Sequence, residues 1–372
     1  MSQFRILDTN YFFSSSYTMT VSSEDADFPK ENLRNYLRSK VWRTTPGSNY
    51  VIDATNNKLD FTEGGGELTA TISSGTYTAT TLCTEIDTRV TAAGAGSYTV
   101  TYSTTTGKFT IVKSAGTFTL KWATGTNTAT SIRTAIGFSN ADDTGALTYT
   151  SDTVALHTEE WVKLDLGSAK NVDSVAVIFD GVDGVRLSAS AVVKIQGNAT
   201  DAWTAPSVDT TLSLDASYDV MTHFYSSAQS YRWWRLKIVD VDNSNLFVEI
   251  PKVVLSSATQ LGQVPEVGFR NKIVDGSKKA ENEYGHSYFD IYPSRRYLRF
   301  MFKALSSADI ETMFLMFQTV GKHTPVCVSL DSTATLFDKD RFFLYGRFTT
   351  DFDAQHEFYD RFNLEMEIAE GM

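Results

Sequence analysis

Cysteine is nearly absent from this sequence. Cys83 and Cys327 are the only two, and they lie far apart along the chain. A small secreted scaffold held together by disulfides needs more cysteines at closer spacing, so that class of protein is excluded. We expect both thiols to be small buried side chains, and the chain to be made and folded in a reducing cytoplasm. Proline is also scarce, at 7 residues, which excludes a stiff proline-rich linker protein.

Long apolar runs and an excess of positive charge are missing too. No stretch approaches the length that crosses a bilayer, so we predict no membrane insertion. The opening "MSQFRILDTNYFFSSSYTMT" has no basic start followed by an apolar core, and we expect no export by a signal peptide. The 33 Lys and Arg against 44 Asp and Glu give a net charge of −11. That balance opposes binding to nucleic acid, and we predict no specific nucleic-acid partner.

Aromatic residues, by contrast, are abundant. The 24 Phe, 17 Tyr and 6 Trp favour β-strands and large contact surfaces. Between residues 58 and 153 the composition shifts to Thr, Ser, Gly and Ala, with alternating segments such as "LTATIS", "YTVTYS" and "KFTIVK" that predict strands. Within this region "TATTLCTEIDTRVTAAG" predicts a helix capped by Thr80, and "TATSIRTAIGF" predicts a second helical stretch.

The pattern changes again beyond residue 154. The segments "EWVKLDLG", "VDSVAVIFDG", "SAVVKIQGN" and "RWWRLKIVD" are separated by turns and predict an antiparallel sandwich. The stretch "SATQLGQVPEVG" indicates a linker. After it, "RYLRFMFKAL" and "TPVCVSLD" predict strands, and "SSADIETMFLMFQTVG" predicts a helix capped by Ser307, with Ile310, Phe314 and Phe317 along one face.

One strand of the sandwich has two chemically different faces. In "RWWRLKIV", Trp234, Leu236 and Ile238 share one side, while Trp233, Arg235 and Lys237 share the other. We therefore predict that one of the two tryptophans is part of the core. The other is predicted to stack on an arginine or to lie in an interface.

Several segments together resemble a discoidin, or F5/8 type C, β-sandwich. They are "VWRTT", "EWVKLDLG", "VVKIQGNATDAW", "YRWWRLKIV" and "EIPKVVL", which fall within 28–57 and 154–257. In that family a Trp precedes a strand ending in aspartate, leucine and glycine, and an Arg-aromatic-x-Arg strand follows later. The resemblance implies one sandwich whose two parts are separated by an insertion, and insertions are tolerated at exposed loops.

Two other regions are similar to tailed-bacteriophage virion proteins. The inserted "LDFTEGGGELTATISSGTYTATTLCTEI", with "GTFTLKW" and "AIGF", resembles a small domain recurrent in those proteins. The ending "YLRFMFKALSSADIETMFLMFQTVGKHTPVCVSLD", with "FFLYGRF", resembles phage minor tail proteins near the tail tip. The resemblance implies a siphophage-type tail-tip, distal tail or baseplate protein, located in the virion tail. Its partners would be neighbouring tail proteins and further copies of itself, arranged in a ring with sixfold symmetry.

We therefore predict a mainly β protein: a β-sandwich or jelly roll with a small inserted α+β domain, plus a C-terminal β-rich domain with one helix. The predicted divisions are an N-terminal arm or strand at 1–27, the split sandwich at 28–57 and 154–257, the insert at 58–153, and the C-terminal domain at 265–372. The predicted function is structural assembly through aromatic-rich surfaces.

No motif predicts catalysis or a cofactor. The run Gly64 to Gly66 lacks the Lys and Ser or Thr that a phosphate-binding loop needs, so it indicates a tight turn. The five histidines show no metal-binding spacing, and no GxSxG segment occurs. We predict no catalytic residue, no cofactor and no enzyme. A calcium site remains a weaker alternative to solvated turns, with Asp180, Asp183, Asp240 and Asp242 as its ligands.

Two sets of residues are candidates for contacts. Carbohydrate or receptor binding is the alternative function, and its candidate residues are Trp203, His223, Tyr225, Trp233 and Arg235, which offer aromatic faces with polar neighbours. A host-surface glycan would then be the partner, and plain packing is the competing explanation. In "SRRYLRF", Arg295, Arg296 and Arg299 form the most basic local cluster, and we expect them to pair with acidic neighbours or adjacent subunits during assembly.

Overall fold

The computed structural model describes residues 4–371 except 46, 48, 156–158, 180–185, 216–218, 241, 242, 244, 262, 264, 267, 268, 282, 283, 285, 286, 293 and 333–341. About half of the described chain, 49%, is β-strand in antiparallel sheets, which confirms the predicted mainly β class. The weaker alternative, a calcium site, is not described in full. Three of its four predicted ligands lie outside the described residues: Asp180, Asp183 and Asp242.

The elements follow one another in a simple order along the chain. The first part contains β1 (Arg5–Asn10), β2 (Thr18–Val21), β3 (Trp42–Arg43), β4 (Tyr50–Ile52), β5 (Lys58–Thr62), β6 (Leu68–Thr71), β7 (Gly75–Tyr77), α1 (Ala79–Ala93), β8 (Tyr98–Ser103), β9 (Lys108–Lys113), β10 (Phe118–Leu120), β11 (Asp143–Ala146) and β12 (Thr148–Thr150). The middle part contains β13 (Glu160–Ile178), β14 (Val192–Asn198), β15 (Val208–Leu212), β16 (Leu214–Asp215), β17 (Val220–Val239), β18 (Glu249–Ile250) and β19 (Lys252–Gln260). The last part contains β20 (Arg270–Val274), β21 (Lys278–Glu281), β22 (Ser287–Asp290), β23 (Arg295–Leu305), α2 (Ser307–Val320), β24 (Val326–Ser329), β25 (Phe343–Phe348), β26 (Ala354–Phe358) and β27 (Arg361–Glu370).

One large sheet of 14 strands connects the middle and last parts of the chain. Its main path runs β15-β14-β17-β13-β19-β1-β24-β25-β27-β23-β20. The N-terminal strand β1 lies in the centre of this path, because it pairs with β19 on one side and with β24 on the other. The predicted N-terminal strand therefore joins the sandwich to the C-terminal region, which local sequence pattern did not predict.

The sandwich buries a dense apolar core. Trp42 and Trp234 are both fully buried in it, together with the inward residues of β13, β14, β17 and β19. The prediction that one tryptophan of "RWWRLKIV" is core is thus confirmed for Trp234. Tyr11 and Met19, from the segment predicted as an N-terminal arm, pack in the same core. The stretch predicted as a linker begins inside β19, because that strand stays paired with β1 as far as Gln260.

The inserted region has its own core, formed by α1 against small antiparallel sheets. Leu82, Ile86 and Val90 on one helix face are fully buried, as their spacing predicts. The helix begins earlier than expected, since Thr78 accepts from the backbone of Thr81 and caps it in place of Thr80. The second predicted helical stretch forms only two short 3₁₀ turns, Thr128–Thr130 and Ile132–Thr134.

The C-terminal region packs α2 against the last strands of the large sheet. Its cap is Ser306, one residue before the predicted Ser307. The buried face of α2 consists of Met313, Met316 and Val320. Phe314, which is predicted on the apolar face, is 44% exposed and lies outside the buried face. Among the described helices, none is long and apolar enough to cross a membrane.

Candidate functional site on the outer face of the sandwich

Two long strands, β13 and β17, carry the candidate site. They pair antiparallel, and Lys163 lies directly opposite Arg235. Leu164 and Trp234 alternate with these residues and are buried in the sandwich core. Because successive side chains of a strand point to opposite faces, Lys163, Arg235 and the adjacent Trp233 project from the outer face of the sheet.

Two cations therefore face each other across a strand ladder, an arrangement that normally destabilises a sheet. Each of them has an acceptor close by. Nζ of Lys163 donates to Oδ2 of Asp201 at 2.6 Å, and Nε of Arg235 donates to Oε1 of Gln196 at 2.8 Å. Arg235 also lies 3.4 Å from a carboxylate oxygen of Glu159. The repulsion is thus offset by groups placed specifically around each cation.

Three indole rings surround the same pair of cations. Nζ of Lys163 lies 5.1 Å from the ring centroid of Trp161 and 5.4 Å from that of Trp233. The guanidinium carbon of Arg235 lies 4.7 Å from the ring centroid of Trp203. Such distances are those of cation–π contacts, which are stronger where the cation is withdrawn from water. All three indoles are half-buried, so part of each ring remains accessible.

The loop between β14 and β15 folds over this face and brings Trp203 to it. Nε1 of Trp203 donates to Oδ1 of Asp201 at 2.6 Å, so Asp201 links the loop tryptophan to Lys163. Nδ2 of Asn198 donates to the carbonyl of Ala202 at 2.7 Å and closes the base of the loop. Partial burial alone would raise the pKa of Asp201, but the hydrogen bonds from Lys163 and Trp203 outweigh it and lower that pKa.

Ion pairs also border the indole cluster. Nε and Nη2 of Arg232 donate to the two carboxylate oxygens of Asp165 at 2.7 and 2.8 Å, and this bidentate contact lowers the pKa of Asp165. Lys194 and Gln196 donate to Asp209 at 2.8 and 2.9 Å and lower its pKa as well. These carboxylates are ionised at neutral pH and remain available as hydrogen-bond acceptors.

The chemistry of this face suits recognition more than reaction. We call Trp161, Lys163, Trp203, Trp233 and Arg235 the binding face. Indole rings offer flat apolar surfaces, and the adjacent carboxylates, amides and guanidinium groups include both hydrogen-bond donors and hydrogen-bond acceptors. That combination matches a small polar ligand with one apolar side, held by stacking and oriented by hydrogen bonds.

The structure divides the five predicted contact residues into two groups. Trp203, Trp233 and Arg235 lie together on the binding face. His223 and Tyr225 lie on the opposite, core side, where their rings are 4.5 Å apart and Tyr225 packs against the sandwich core. Simple alternation would have placed all four odd-numbered residues of β17 on one face. The pairing with β13 is irregular between Trp233 and Tyr231, and the facing of the strand reverses there, because Tyr231 and Trp234 both pack towards the sandwich core.

Sequence reasoning missed three members of this site. Trp161 and Lys163 could have been found, because the alternation in "EWVKLDLG" places both on the face opposite Leu164. Asp201 had no such signal. It lies in the loop between β14 and β15, and its position depends on how that loop folds back over the sheet.

The remaining predicted residues have other surroundings. Asp240 is fully buried, and its carboxylate accepts from the backbone of Ser188 at 3.1 Å and from Nδ2 of Asn243 at 2.8 Å. It therefore fastens two loops together, which is a structural role. Among the residues that the structure describes, there is no group of three or more His, Cys, Asp or Glu side chains that could hold a metal ion.

The arginine cluster lies on β23, at the far end of the large sheet. Arg299 pairs with Glu365 of the neighbouring strand, and the backbone N–H of Arg296 donates to Glu370 at 3.0 Å. Arg299 and Glu365 also line an open groove of about 710 Å³. Arg295 is exposed at the start of the strand. The predicted assembly role of these arginines stays a prediction.

Comparisons with known proteins give likenesses only among solved structures. No protein-family model matches the chain, and no curated protein matches it. The family 32 carbohydrate-binding module of C. perfringens NanJ, solved with galactose, matches at 10% identity and a TM-score of 0.28, covering 68% of this chain and 98% of that one. Chitosan-binding module 1 of a Paenibacillus sp. IK-5 chitosanase/glucanase matches at 10% identity and a TM-score of 0.29, covering 67% and 100%. A fucolectin from Morone saxatilis serum matches at 10% identity and a TM-score of 0.22, covering 40% and 56%.

Proposed function

We propose that this chain is a non-catalytic carbohydrate-binding protein, and that its binding face holds a sugar ring. The observation that carries the proposal is the cluster of three half-buried indoles held around Lys163 and Arg235. A sheet built for stability alone would not place two cations opposite each other. Departures from such local rules are expected at functional sites, where another requirement sets the residues.

The mode of binding follows from the groups present. A pyranose ring has an apolar face of C–H groups, and that face stacks on an exposed indole. Its hydroxyl groups need acceptors and donors at the rim, which Asp201, Asp165 and Arg232 supply. Trp203 is held by its hydrogen bond to Asp201 and by its contact with Arg235, so little side-chain freedom is lost when the sugar binds.

The test is a glycan array with the full chain, followed by calorimetry with galactose, chitotriose and a uronic-acid oligosaccharide. We expect saturable binding to at least one class of sugar. Trp233→Ala removes a stacking surface and should weaken that binding at least about 10-fold. Phe358→Ala is the matched control, because Phe358 is an aromatic residue exposed at 75% and remote from the sandwich.

Two results would contradict the proposal. One is the absence of binding to every glycan on the array. The other is binding that survives both Trp233→Ala and Trp203→Ala unchanged, which would place any sugar site elsewhere.

A second candidate function is assembly in a bacteriophage tail tip, as the resemblance of the insert and the C-terminal segment implies. The observation that favours it is the large number of exposed aromatic side chains after residue 268, including Tyr288, Phe289, Phe358 and Tyr359. Such surfaces mark contact sites. Detection of the chain in purified phage particles, at a fixed number of copies, would support this function, and its absence from them would exclude it.

A further inference from the structure

A two-stranded arm extends from the edge of the large sheet. Strand β20 is the last strand of that sheet, and among the strands that the structure describes, β21 and β22 pair only with each other. Every residue of β21 and β22 is exposed. We call the described residues 269–281 and 287–292 the arm.

The arm exposes apolar side chains to an unusual extent. Ile273 is 69% exposed, Tyr288 60%, Phe289 62% and Ile291 87%. Together these side chains present on the order of 500 Å² of largely apolar surface, divided between β20, which carries Ile273, and the two sides of the ribbon, because Tyr288 and Phe289 alternate. The side that carries Phe289 therefore has less apolar area than the roughly 800 Å² that each partner buries in a standard interface, so a contact through it is a weak, concentration-dependent one. An isolated two-stranded ribbon is marginally stable in water, so a second surface is needed to cover it.

The charge of the arm differs from that of the whole chain. Across 269–292 the basic residues are Arg270, Lys272, Lys278 and Lys279, and the acidic residues are Asp275, Glu281, Glu283 and Asp290. The segment 269–292 is therefore neutral, and the described residues of the arm carry one net positive charge, within a chain of net charge −11. Two copies of the chain repel each other through most of their surface, but they can meet at the arm without that penalty.

One face of the arm is complementary to itself. Lys279 lies opposite Phe289 in the ladder, so Lys279, Glu281 and Phe289 share a face, with the aromatic ring beside the charged pair. Nζ of Lys279 lies 3.2 Å from Glu281, and both side chains are about half exposed, at 52% and 53%. In a twofold contact each surface meets its own copy in reversed orientation. Lys279 of one copy then faces Glu281 of the other, and the two Phe289 rings meet near the axis.

We propose that this face of the arm binds the same face of the arm in a second copy of the chain. The contact turns two exposed ribbons into a small four-stranded unit that covers the Phe289 rings and pairs Lys279 with Glu281 across the interface, and additional strands of this kind are what a lone ribbon needs for stability. It also places two binding faces in one particle, so a surface carrying many sugars would be bound more tightly than a single sugar. The contact does not depend on the proposed sugar binding.

The first experiment measures the mass of the full chain by sedimentation at several concentrations. We expect a concentration-dependent dimer. Phe289→Ser should weaken it at least about 10-fold, because an aromatic residue at the centre of an interface contributes most of its energy. Leu147→Ser, which changes an exposed apolar residue of the inserted region, is the control and should leave the mass unchanged. A chain that is monomeric at all concentrations, or a dimer that Phe289→Ser leaves intact, would overturn the proposal.

The second experiment remains informative even if Phe289→Ser disturbs the arm itself. Lys279→Glu and Glu281→Lys each place like charges opposite one another across the twofold axis, so each variant alone should dimerise about 5- to 10-fold more weakly. An equimolar mixture of the two variants pairs an acidic arm with a basic one. We expect that mixture to form the mixed dimer with at least the affinity of the unchanged chain. A mixture that associates no better than its components would refute the arm-to-arm contact.

Discussion

The binding face and the arm use similar residues in opposite ways. On the binding face, Trp161 and Trp233 lie close to Lys163, and their rings are half-buried. On the arm, Tyr288 and Phe289 lie on a thin ribbon and are more than half exposed. The first set of rings is fixed before any ligand arrives. The second set lies on two described strands that pair with each other and whose residues are all exposed.

This difference indicates what each surface recognises. A small ligand contributes little surface, so a site for it must already be ordered and must offer oriented polar groups. A protein partner contributes its own apolar layer and can complete a structure that is incomplete alone. The ordered face therefore fits a sugar, and the two-sided ribbon fits another polypeptide. The predictions below test whether the two surfaces are as independent as this comparison implies.

The largest expected difference is in folding stability. Trp234 is fully buried in the sandwich core, and Trp234→Ala should lower the free energy of unfolding by about 3–5 kcal/mol. Tyr288 on the arm is 60% exposed. Tyr288→Ala should therefore change the free energy of unfolding by no more than about 0.5 kcal/mol when it is measured on dilute monomer. Chemical denaturation followed by circular dichroism checks both values. An equally large loss for Tyr288→Ala would mean that the arm is part of the folding unit.

The next effect concerns the order of the binding face. Lys163→Met keeps the length of the side chain but removes the cation that contacts two indoles and Asp201. Loss of cation–π contacts worth about 1–2 kcal/mol should weaken sugar binding about 10-fold. The matched control is Lys237→Met on the same face, since Lys237 pairs with Glu159. Calorimetry should show that Lys237→Met has the smaller effect, and equal losses would argue against a role for the indole contacts.

The sequence contained more of the fold than of the site. Alternation along β13 and β17 correctly separates core residues such as Trp234 from outward residues such as Trp233, because that pattern is local. Within β17 the side of the strand that faces the core changes. This change depends on how many residues β13 and β17 leave unpaired, so it cannot be predicted from the sequence of one strand alone. Tyr225 and Trp233 are predicted together as contact residues, but in the structure they lie on opposite sides of the strand. The central place of β1 was likewise invisible, since its partners, β19 and β24, are more than two hundred residues away.

Acid should disturb the binding face. Hydrogen bonds from Lys163 lower the pKa of Asp201 below its usual 3.8 against the opposing effect of burial. A carboxyl group with a lowered pKa stabilises the fold above its unfolded pKa, and that contribution is lost as the pH falls through the folded value. Sugar affinity and tryptophan fluorescence should therefore be constant from about pH 7 to about pH 5 and should fall below about pH 4. Asp201→Asn should remove much of this dependence, whereas a midpoint above about pH 5 would show that another group controls the loop.

The smallest expected effect is that of salt on the arm. The pair Lys279–Glu281 is about half exposed, and surface ion pairs of this kind contribute about 0–1 kcal/mol each. Raising the salt from about 0.05 M to about 0.5 M should thus weaken the dimer less than about 10-fold, a smaller change than that expected for Phe289→Ser. Sedimentation at the two salt concentrations makes the comparison directly. If salt dissociated the dimer completely while Phe289→Ser did not, charge would dominate the contact, and the exposed aromatic residues of the arm would need a different partner.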